Sequence, residues 1–369
     1  MKTTGCITIL KELIALPSYV DDRNNESQVS AYIKKYLSQF CPWFTLVEQS
    51  LGSGRNNIIA STGDNPDLVV VCHMDTVQPV GNINDMLAPT MKNGYIYGLG
   101  AVDMKAGIAA VLTALSNVKQ IKNSAIIFDC DEEYNFRGAK ALFKKYFWNP
   151  QLVLCPEPTD LKLVNGCKGV IEITVDVVGK TAHAGKPEQG INAIEKALES
   201  VLVLRHEILQ YRDNELGETT LNLSGLQGGR LVGNTITVQG NAVADIARMV
   251  IDIRPASTQL DAQKVCKMWE PYAKSCVITL DYPAYRTHSG ELAILEKAIA
   301  LSGLAVYYQQ RSERSGFYEA ALFSRMWNCP AVSFGPGPAN SAHTKGECVS
   351  ISDLQSATTV YTKLFRLFG

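Results

Sequence analysis

Residues 67–75 read DLVVVCHMD, a short unbroken apolar run that ends in a histidine and an aspartate. A run of this length, rich in valine and bounded by polar residues, marks a strand buried on both faces of a parallel sheet. The neighbouring segments agree. Residues 103–118 (DMKAGIAAVLTALSNV) open with an acidic cap and continue as a helix. Residues 124–130 (SAIIFDC) and 152–155 (LVLC) read as two further strands, with a helix over 138–147 between them. This β-α-β-α-β order predicts an α/β fold, a doubly wound and mainly parallel sheet covered by helices.

The pattern changes near residue 170. Residues 170–178 (VIEITVDVV) alternate like a strand with one wet face, a helix follows over 190–206, and strand signals recur at 221–226, 235–239, 247–253 and 276–282. Such a series suits an α+β layer with an antiparallel sheet. From about Glu291 the first pattern returns, with a helix over 292–304, a strand over 331–334 and a last helix from Ser352. The organisation expected is a first domain of 1–169 and 284–369 that carries an inserted domain of 170–283. A length of 369 residues, against ~150 for one typical domain, has room for both.

Composition narrows the function. Lys plus Arg is 35 and Asp plus Glu is 36, a net charge of −1, which argues against a nucleic-acid surface. No stretch has the ~18 consecutive apolar residues of a membrane span, so no membrane partner is expected. At the start of the chain, Lys11 and Glu12 interrupt the apolar run, and Ile7, Leu10, Leu13 and Ile14 follow helical spacing. An amphipathic helix is expected there rather than a signal-peptide core. The ten cysteines include no C-x-x-C pair, and several sit in apolar runs, such as Cys72 and Cys155. They read as small buried residues in strands, and with no export signal the expected home is the reducing cytoplasm.

The chemistry gathers at strand ends. His73 and Asp75 follow the first strand, Asp103 follows the turn GLGAV, Glu132 and Glu133 follow SAIIFDCD, Glu157 follows LVLCP, and His343 follows AVSFGPGPANSA. Ligands of open α/β sheets bind outside the carboxyl ends of the strands. One polar residue there is usually a cap or turn residue. Five segments that aim two imidazoles and several carboxylates at one edge require positive charge between them. Nitrogen and oxygen donors without thiolate suit zinc, cobalt or manganese.

Six segments, VVVCHMDTVQP, YGLGAVDMKAGIAA, DCDEEYNFRGAKAL, CPEPTD, VVGKTAHAGKPEQGINAIEKAL and FGPGPANSAHTKGECVSISDL, run in order along nearly the whole chain. Together they resemble the dinuclear zinc aminoacylase and carboxypeptidase family, which includes acetylornithine deacetylase, succinyl-diaminopimelate desuccinylase and glutamate carboxypeptidase. The resemblance implies a catalytic domain with an inserted lid, and two divalent metal ions, zinc first, with cobalt or manganese as alternatives. By the resemblance Asp103 bridges both ions, His73 and Glu157 complete one site, Glu133 and His343 complete the other, Glu132 is the general base and Asp75 orients His73. It also implies a cis peptide at Asp103–Met104. These roles are chemically coherent. A ligating imidazole needs its second nitrogen held, and a carboxylate beside cations can move a water proton to a leaving amine.

In the insertion, His183 of GKTAHAGKP resembles the family's lid histidine, a donor to the oxyanion of the transition state. Asn241 and Arg254 resemble lid residues that grip substrate, the Arg fork matching a carboxylate. Asn234 competes with Asn241 for that role, because an extra GGRLVGN segment unsettles the alignment. Glu319 lies in a Gly-x-x-Glu-Ala segment like that of the acetylornithine deacetylase branch, and is a candidate substrate contact. His206 and His288 match no motif. The lid also pairs two subunits in the family, so a homodimer is implied. The activity implied is hydrolysis of the amide of an N-acyl amino acid, as in arginine or lysine synthesis. Exopeptidase cleavage of a short peptide is the alternative, and a catalytically inactive binding homologue is the reading from another class.

Overall fold

The structure is a computed structural model that describes residues 5–310 and 316–369. The described residues form two compact units. The first takes the described parts of 1–165, 286–309 and 318–369; the second takes 166–285 with the described parts of 310–317.

The first unit is built on a six-stranded sheet. Its order is Thr45–Gly52, Arg55–Ser61, Ser124–Asp129, Leu68–His73, Leu152–Cys155 and Ala331–Ser333. The last four strands are mutually parallel, and the first two form an antiparallel hairpin on one edge. Every residue of Leu68–His73, Ser124–Asp129 and Leu152–Cys155 is buried, which is why these segments read as unbroken apolar runs instead of alternating ones. Helix Lys105–Ser116 is apolar on all sides and buried accordingly. It packs against helices Cys6–Ile14 and Ile351–Leu367. The first of these is amphipathic and turns Ile9, Leu10, Leu13 and Ile14 into the core.

The second unit is a five-stranded antiparallel sheet in the order Thr235–Thr237, Thr220–Val232, Ile246–Arg254, Val170–Val178 and Ser275–Tyr282. Alternate residues of Val170–Val178 are buried, and their apolar face packs with helices Ala193–Ile208 and Ala262–Trp269. The Asn192 side chain caps the first of those helices by accepting from the amides of Ile194 and Glu195.

Three local expectations are corrected. The helix read over 138–147 spans Arg137–Phe143. Beyond it, the Tyr146 carbonyl accepts from the Trp327 indole at 2.9 Å, and Tyr146 and Trp148 join an aromatic cluster with Trp327, so tertiary packing takes the chain out of the helix. The last helix begins at Ile351, where the Ser350 side chain caps it by accepting from the Asp353 amide. Cys266 and Cys276 are not separate thiols: they form a disulfide between helix Ala262–Trp269 and strand Ser275–Tyr282, with Cα atoms 5.6 Å apart. The other eight cysteines form no disulfide among the described residues. No helix among the described residues is long and apolar enough to cross a membrane.

Helix Lys105–Ser116 meets the loop after Leu152–Cys155 at Gly107, where a Cβ would run into the Pro156 carbonyl. Gly107→Ala is therefore expected to lower stability by about 1–3 kcal/mol, read as a fall in the thermal midpoint. An unchanged midpoint would show that the helix has room to shift.

Candidate metal centre

The parallel strands bring their carboxyl ends to one edge, and the polar residues that follow them meet there. His73 closes its strand, and its Nε2 lies 3.1 Å from Asp103 Oδ1 and 3.9 Å from Glu157 Oε2. His343 approaches from the loop after Ala331–Ser333, with its Nε2 at 3.3 Å from Asp103 Oδ2 and 3.0 Å from Glu133 Oε1. One Asp103 oxygen thus faces each imidazole, and each imidazole has a second carboxylate beside it. Ligand atoms of His73, Asp103 and Glu133 lie within 4.8 Å of one another. His73 is buried, whereas the His343 side chain is half exposed, so the centre opens on that side.

The electrostatics follow from this crowding. Burial would lower the His73 pKa, but its hydrogen bond to Asp103 and the charges of Glu157 and Glu132 outweigh that and hold it well above the usual value. Hydrogen bonds to Asp103 and Glu133 push His343 up to about 10. Burial would raise Asp103; the bonds from His343 and His73 bring it well below the ordinary carboxylate value. Burial, and then the surrounding negative charges, raise Glu157 to about 8. Glu132 is half-buried and is pushed well above its usual value by burial and by Glu157, Glu133 and Asp103, with His73 opposing. Such a set binds positive charge strongly. All its donors are imidazole nitrogen and carboxylate oxygen, a set suited to zinc, cobalt or manganese.

Two further carboxylates hold the backbone that carries these groups. Glu347 is buried and accepts from the amides of Gly100 at 2.9 Å, Val102 at 3.0 Å and Asp103 at 3.1 Å. It fixes the loop that presents Asp103, whose peptide to Met104 is cis. The sequence reading passed over Glu347, because nothing near it in the chain marks partners some 245 residues away. Asp75 lies against His73 and has further partners. The His73 Nδ1 lies 3.1 Å from the Asp75 backbone carbonyl and 3.8 Å from its carboxylate. The carboxylate also accepts from the amides of Glu132 at 3.1 Å and Glu133 at 3.0 Å.

Glu319, expected at the substrate, is buried in the first unit. Burial and the Asp129 charge raise its pKa well above normal. The charges of Glu132 and His73 also act on it. His288 caps the turn Ser289–Leu292, and His206 lies in the last turn of Ala193–Ile208.

In the second unit, His183 bridges to Ala242, and the Asn241 carbonyl accepts from the Ala184 amide at 3.0 Å. Asn241 is thus tied to the His183 segment. Asn234 stands in the exposed turn between Thr220–Val232 and Thr235–Thr237. The His183 Nδ1 accepts from the Gly185 amide at 3.0 Å, which leaves Nε2 as the donor nitrogen. The exposed Arg254 fork is matched to Asp252, at 2.9 and 3.0 Å.

Residues 69–367 match the sequence pattern of Peptidase family M20/M25/M40. The chain belongs to that family. An acetylornithine deacetylase of Buchnera aphidicola is 27% identical over 397 residues, spanning 100% of this M20 chain and 99% of that protein. A probable carboxypeptidase of Aspergillus clavatus is 32% identical over 279 residues, 69% of this chain and 63% of that one. The crystal structure of the aminopeptidase PepT from Bacillus cereus superposes with a TM-score of 0.76 at 22% identity, covering 100% of this chain and 99% of that one. This M20 chain is a metal-dependent hydrolase of amide bonds, with a catalytic domain and a lid.

Protons and metal ions compete for the same donors, and both imidazoles hold protons above the usual histidine range. Metal binding should therefore release protons and tighten with rising pH between about 6 and 8. Cobalt titration across that range tests this, and an affinity independent of pH would contradict it.

Proposed function

We propose that this M20 chain removes the acyl group from an N-acyl amino acid of the acetylornithine or succinyl-diaminopimelate class, using two divalent ions, zinc first, with cobalt or manganese as substitutes. The observation that carries the reading is the Asp103 carboxylate between two imidazoles, each with its own second carboxylate. Asp103 would bridge the ions, with His73 and Glu157 on one and Glu133 and His343 on the other. The acetylornithine deacetylase relative, matched over the full chain, supports the substrate class.

When bound, the ions would acidify a water and polarise the scissile carbonyl. Glu132 takes the proton of the attacking water and returns it to the leaving amine. Cations beside it would oppose the burial and negative charges that raise its pKa. Asp75 keeps Glu132 in place through the backbone. His183 donates to the oxygen that becomes negative in the transition state, a role taken from the family resemblance. Arg254 binds the substrate carboxylate. Its present partner is the half-buried Asp252 two residues away, but the Arg254 end of the pair is exposed and pairs open to water are worth little, so a substrate carboxylate can replace it. Asn241 assists from the His183 segment. The second reading, an exopeptidase, is favoured by the carboxypeptidase relative of higher identity over part of the chain.

A panel of acetylornithine, succinyl-diaminopimelate and short peptides separates the two readings by which amide turns over. Chelation should abolish activity, and zinc or cobalt should restore it. Glu132→Gln should keep both ions and lose at least about 10²-fold in kcat; a parental kcat would remove its role as base. His183→Ala should lower kcat more than it raises KM, and an unchanged kcat would remove the oxyanion donor.

We also propose a homodimer formed through the second unit. Leu198, Leu202 and Leu209 share one face of the helix Ala193–Ile208 and its cap, and are 40%, 70% and 37% exposed. Such a stripe marks an interaction surface. Leu202→Glu should convert dimer to monomer in sedimentation, whereas an unaltered dimer would place the interface elsewhere.

A further inference from the structure

Arg55 lies on the hairpin strand Arg55–Ser61, and Glu26 immediately precedes the helix Ser27–Phe40. Neither takes part in the chemistry above. Both are buried, as is Asp131. The Arg55 Nε donates to Glu26 Oε2 at 2.8 Å and its Nη2 to Glu26 Oε1 at 2.5 Å. The same Nη2 donates to Asp131 Oδ1 at 2.7 Å. Glu26 Oε1 also accepts from the Asp131 amide at 3.2 Å. Asp131 is thereby gripped at its backbone and at its side chain.

Asp131 is also in the left-handed region, with φ at +72°, which disfavours residues that carry a Cβ. The residue directly after it is Glu132. This conformation turns the next two amides toward Asp75, where they donate at 3.1 and 3.0 Å. A second clamp comes from the same strand. Asn57, two residues from Arg55 and on the same side, accepts from the Cys130 amide at 3.2 Å and donates to the Gly138 carbonyl at 3.0 Å. It closes both ends of the loop that contains Glu132 and Glu133. At Gly138 a Cβ would meet Cys130 and Asn57 at 2.6–2.7 Å, so the closure depends on glycine.

The geometry points to a brace of Glu26, Arg55 and Asp131 that positions the Glu132–Glu133 turn, making Arg55 and Glu26 positioning residues for the hydrolysis. This rests on the proposed roles of Glu132 and Glu133. A buried ion triad is weak support for stability, because desolvation offsets the attraction. What the triad supplies is direction: the planar fork engages two carboxylates at once, which an ammonium cannot do with the same geometry. If the grip is lost, Asp131 relaxes toward negative φ, the peptide plane ahead of Glu132 rotates, and the bonds to Asp75 break. A misplacement of this kind leaves substrate binding in place and slows the reaction.

Two readouts test the brace: amide exchange over residues 130–138 in the metal-free protein, and kcat with KM in the zinc-loaded enzyme. Arg55→Lys keeps the charge and removes the fork. Asp131→Ala removes the acceptor and disfavours positive φ, whereas Asp131→Asn keeps both features. Arg55→Lys and Asp131→Ala should accelerate exchange at Glu132 and Glu133 and lower kcat by about 10²-fold, with KM within about twofold of the parent. Asp131→Asn should restore most of the protection and most of the turnover lost in Asp131→Ala. Folded Arg55→Lys or Asp131→Ala with parental exchange at Glu132 and Glu133 overturns the brace, whatever happens to kcat. If Arg55→Lys does not fold, the comparison of Asp131→Ala with Asp131→Asn decides. If exchange accelerates as described but the parent hydrolyses no acyl-amino acid or peptide, the brace stands and the proposed function fails.

Discussion

The carboxylate of Asp103 is shared between two imidazoles, one on each oxygen, and much of the first unit serves to keep it there. A carboxylate among other buried carboxylates is driven apart from them by repulsion and by the loss of water. The fold opposes this with backbone, the least adjustable part of the chain. Glu347 collects three amides of the Asp103 loop. Asp75 collects the two amides of Glu132 and Glu133. Lys105, at the start of the following helix, is buried with its ammonium on the Leu16 carbonyl at 2.9 Å. The side chains of the candidate centre are thus placed by where their own peptide groups are tied.

Local signals made the frame legible. DLVVVC, SAIIFDC and LVLC are buried runs whatever lies around them, and their order implies a parallel sheet whose carboxyl ends share an edge. That alone brings His73, Glu132, Glu133 and Glu157 to one place. The supports carry no such local mark. Glu26 meets Asp131 across 105 residues, and Arg55 meets it across 76. Read along the chain, Arg55 follows a glycine-containing turn and Glu26 stands among polar residues; only the assembled sheet edge shows them as partners. The additional partners of Asp75 are hidden for a related reason. Its spacing from His73 suggested a contact between the two, and the amides that compete for its carboxylate lie 57 and 58 residues further on.

The second unit was legible through alternation, since only one face of its sheet packs on helices. Spacing could not choose between Asn234 and Asn241, because an added stretch of strand shifts every count after it. Pairing across the sheet separates the two positions. Strand Thr220–Val232 continues past the pairing with Ile246–Arg254 into a short hairpin with Thr235–Thr237, and Asn234 falls in its turn. Asn241 comes after the hairpin, where the chain returns beside His183. The Cys266–Cys276 bond was likewise invisible to motif reading. Ten residues of separation carry no signature until a helix and an antiparallel strand bring the two Cα atoms to 5.6 Å.

The same arrangement sets the sign of the coupling between protons, ions and stability. Burial raises Asp75 and Glu347 to about 7 and Glu157 to about 8, all above their ordinary carboxylate values. A carboxylate whose pKa rises on folding binds protons more tightly in the folded state. Folding is therefore favoured as pH falls from those values toward the ordinary range, and disfavoured above them. The imidazoles act in the same direction. His73 and His343 are raised, so their stabilisation is complete below the ordinary histidine pKa and is lost as pH rises through the folded values. Asp103 is the exception. Its pKa is depressed, so its contribution is present above the ordinary carboxylate value and disappears only as acid passes through the lower folded one. With protons as the sole source of positive charge, the centre is therefore most stable at a pH that works against the proposed base, because a protonated carboxylate accepts nothing from water. Divalent ions would resolve the conflict. In the proposed function they would replace the protons as counter-charge among Asp103, Glu133 and Glu157, and would leave Glu132 free to accept a proton.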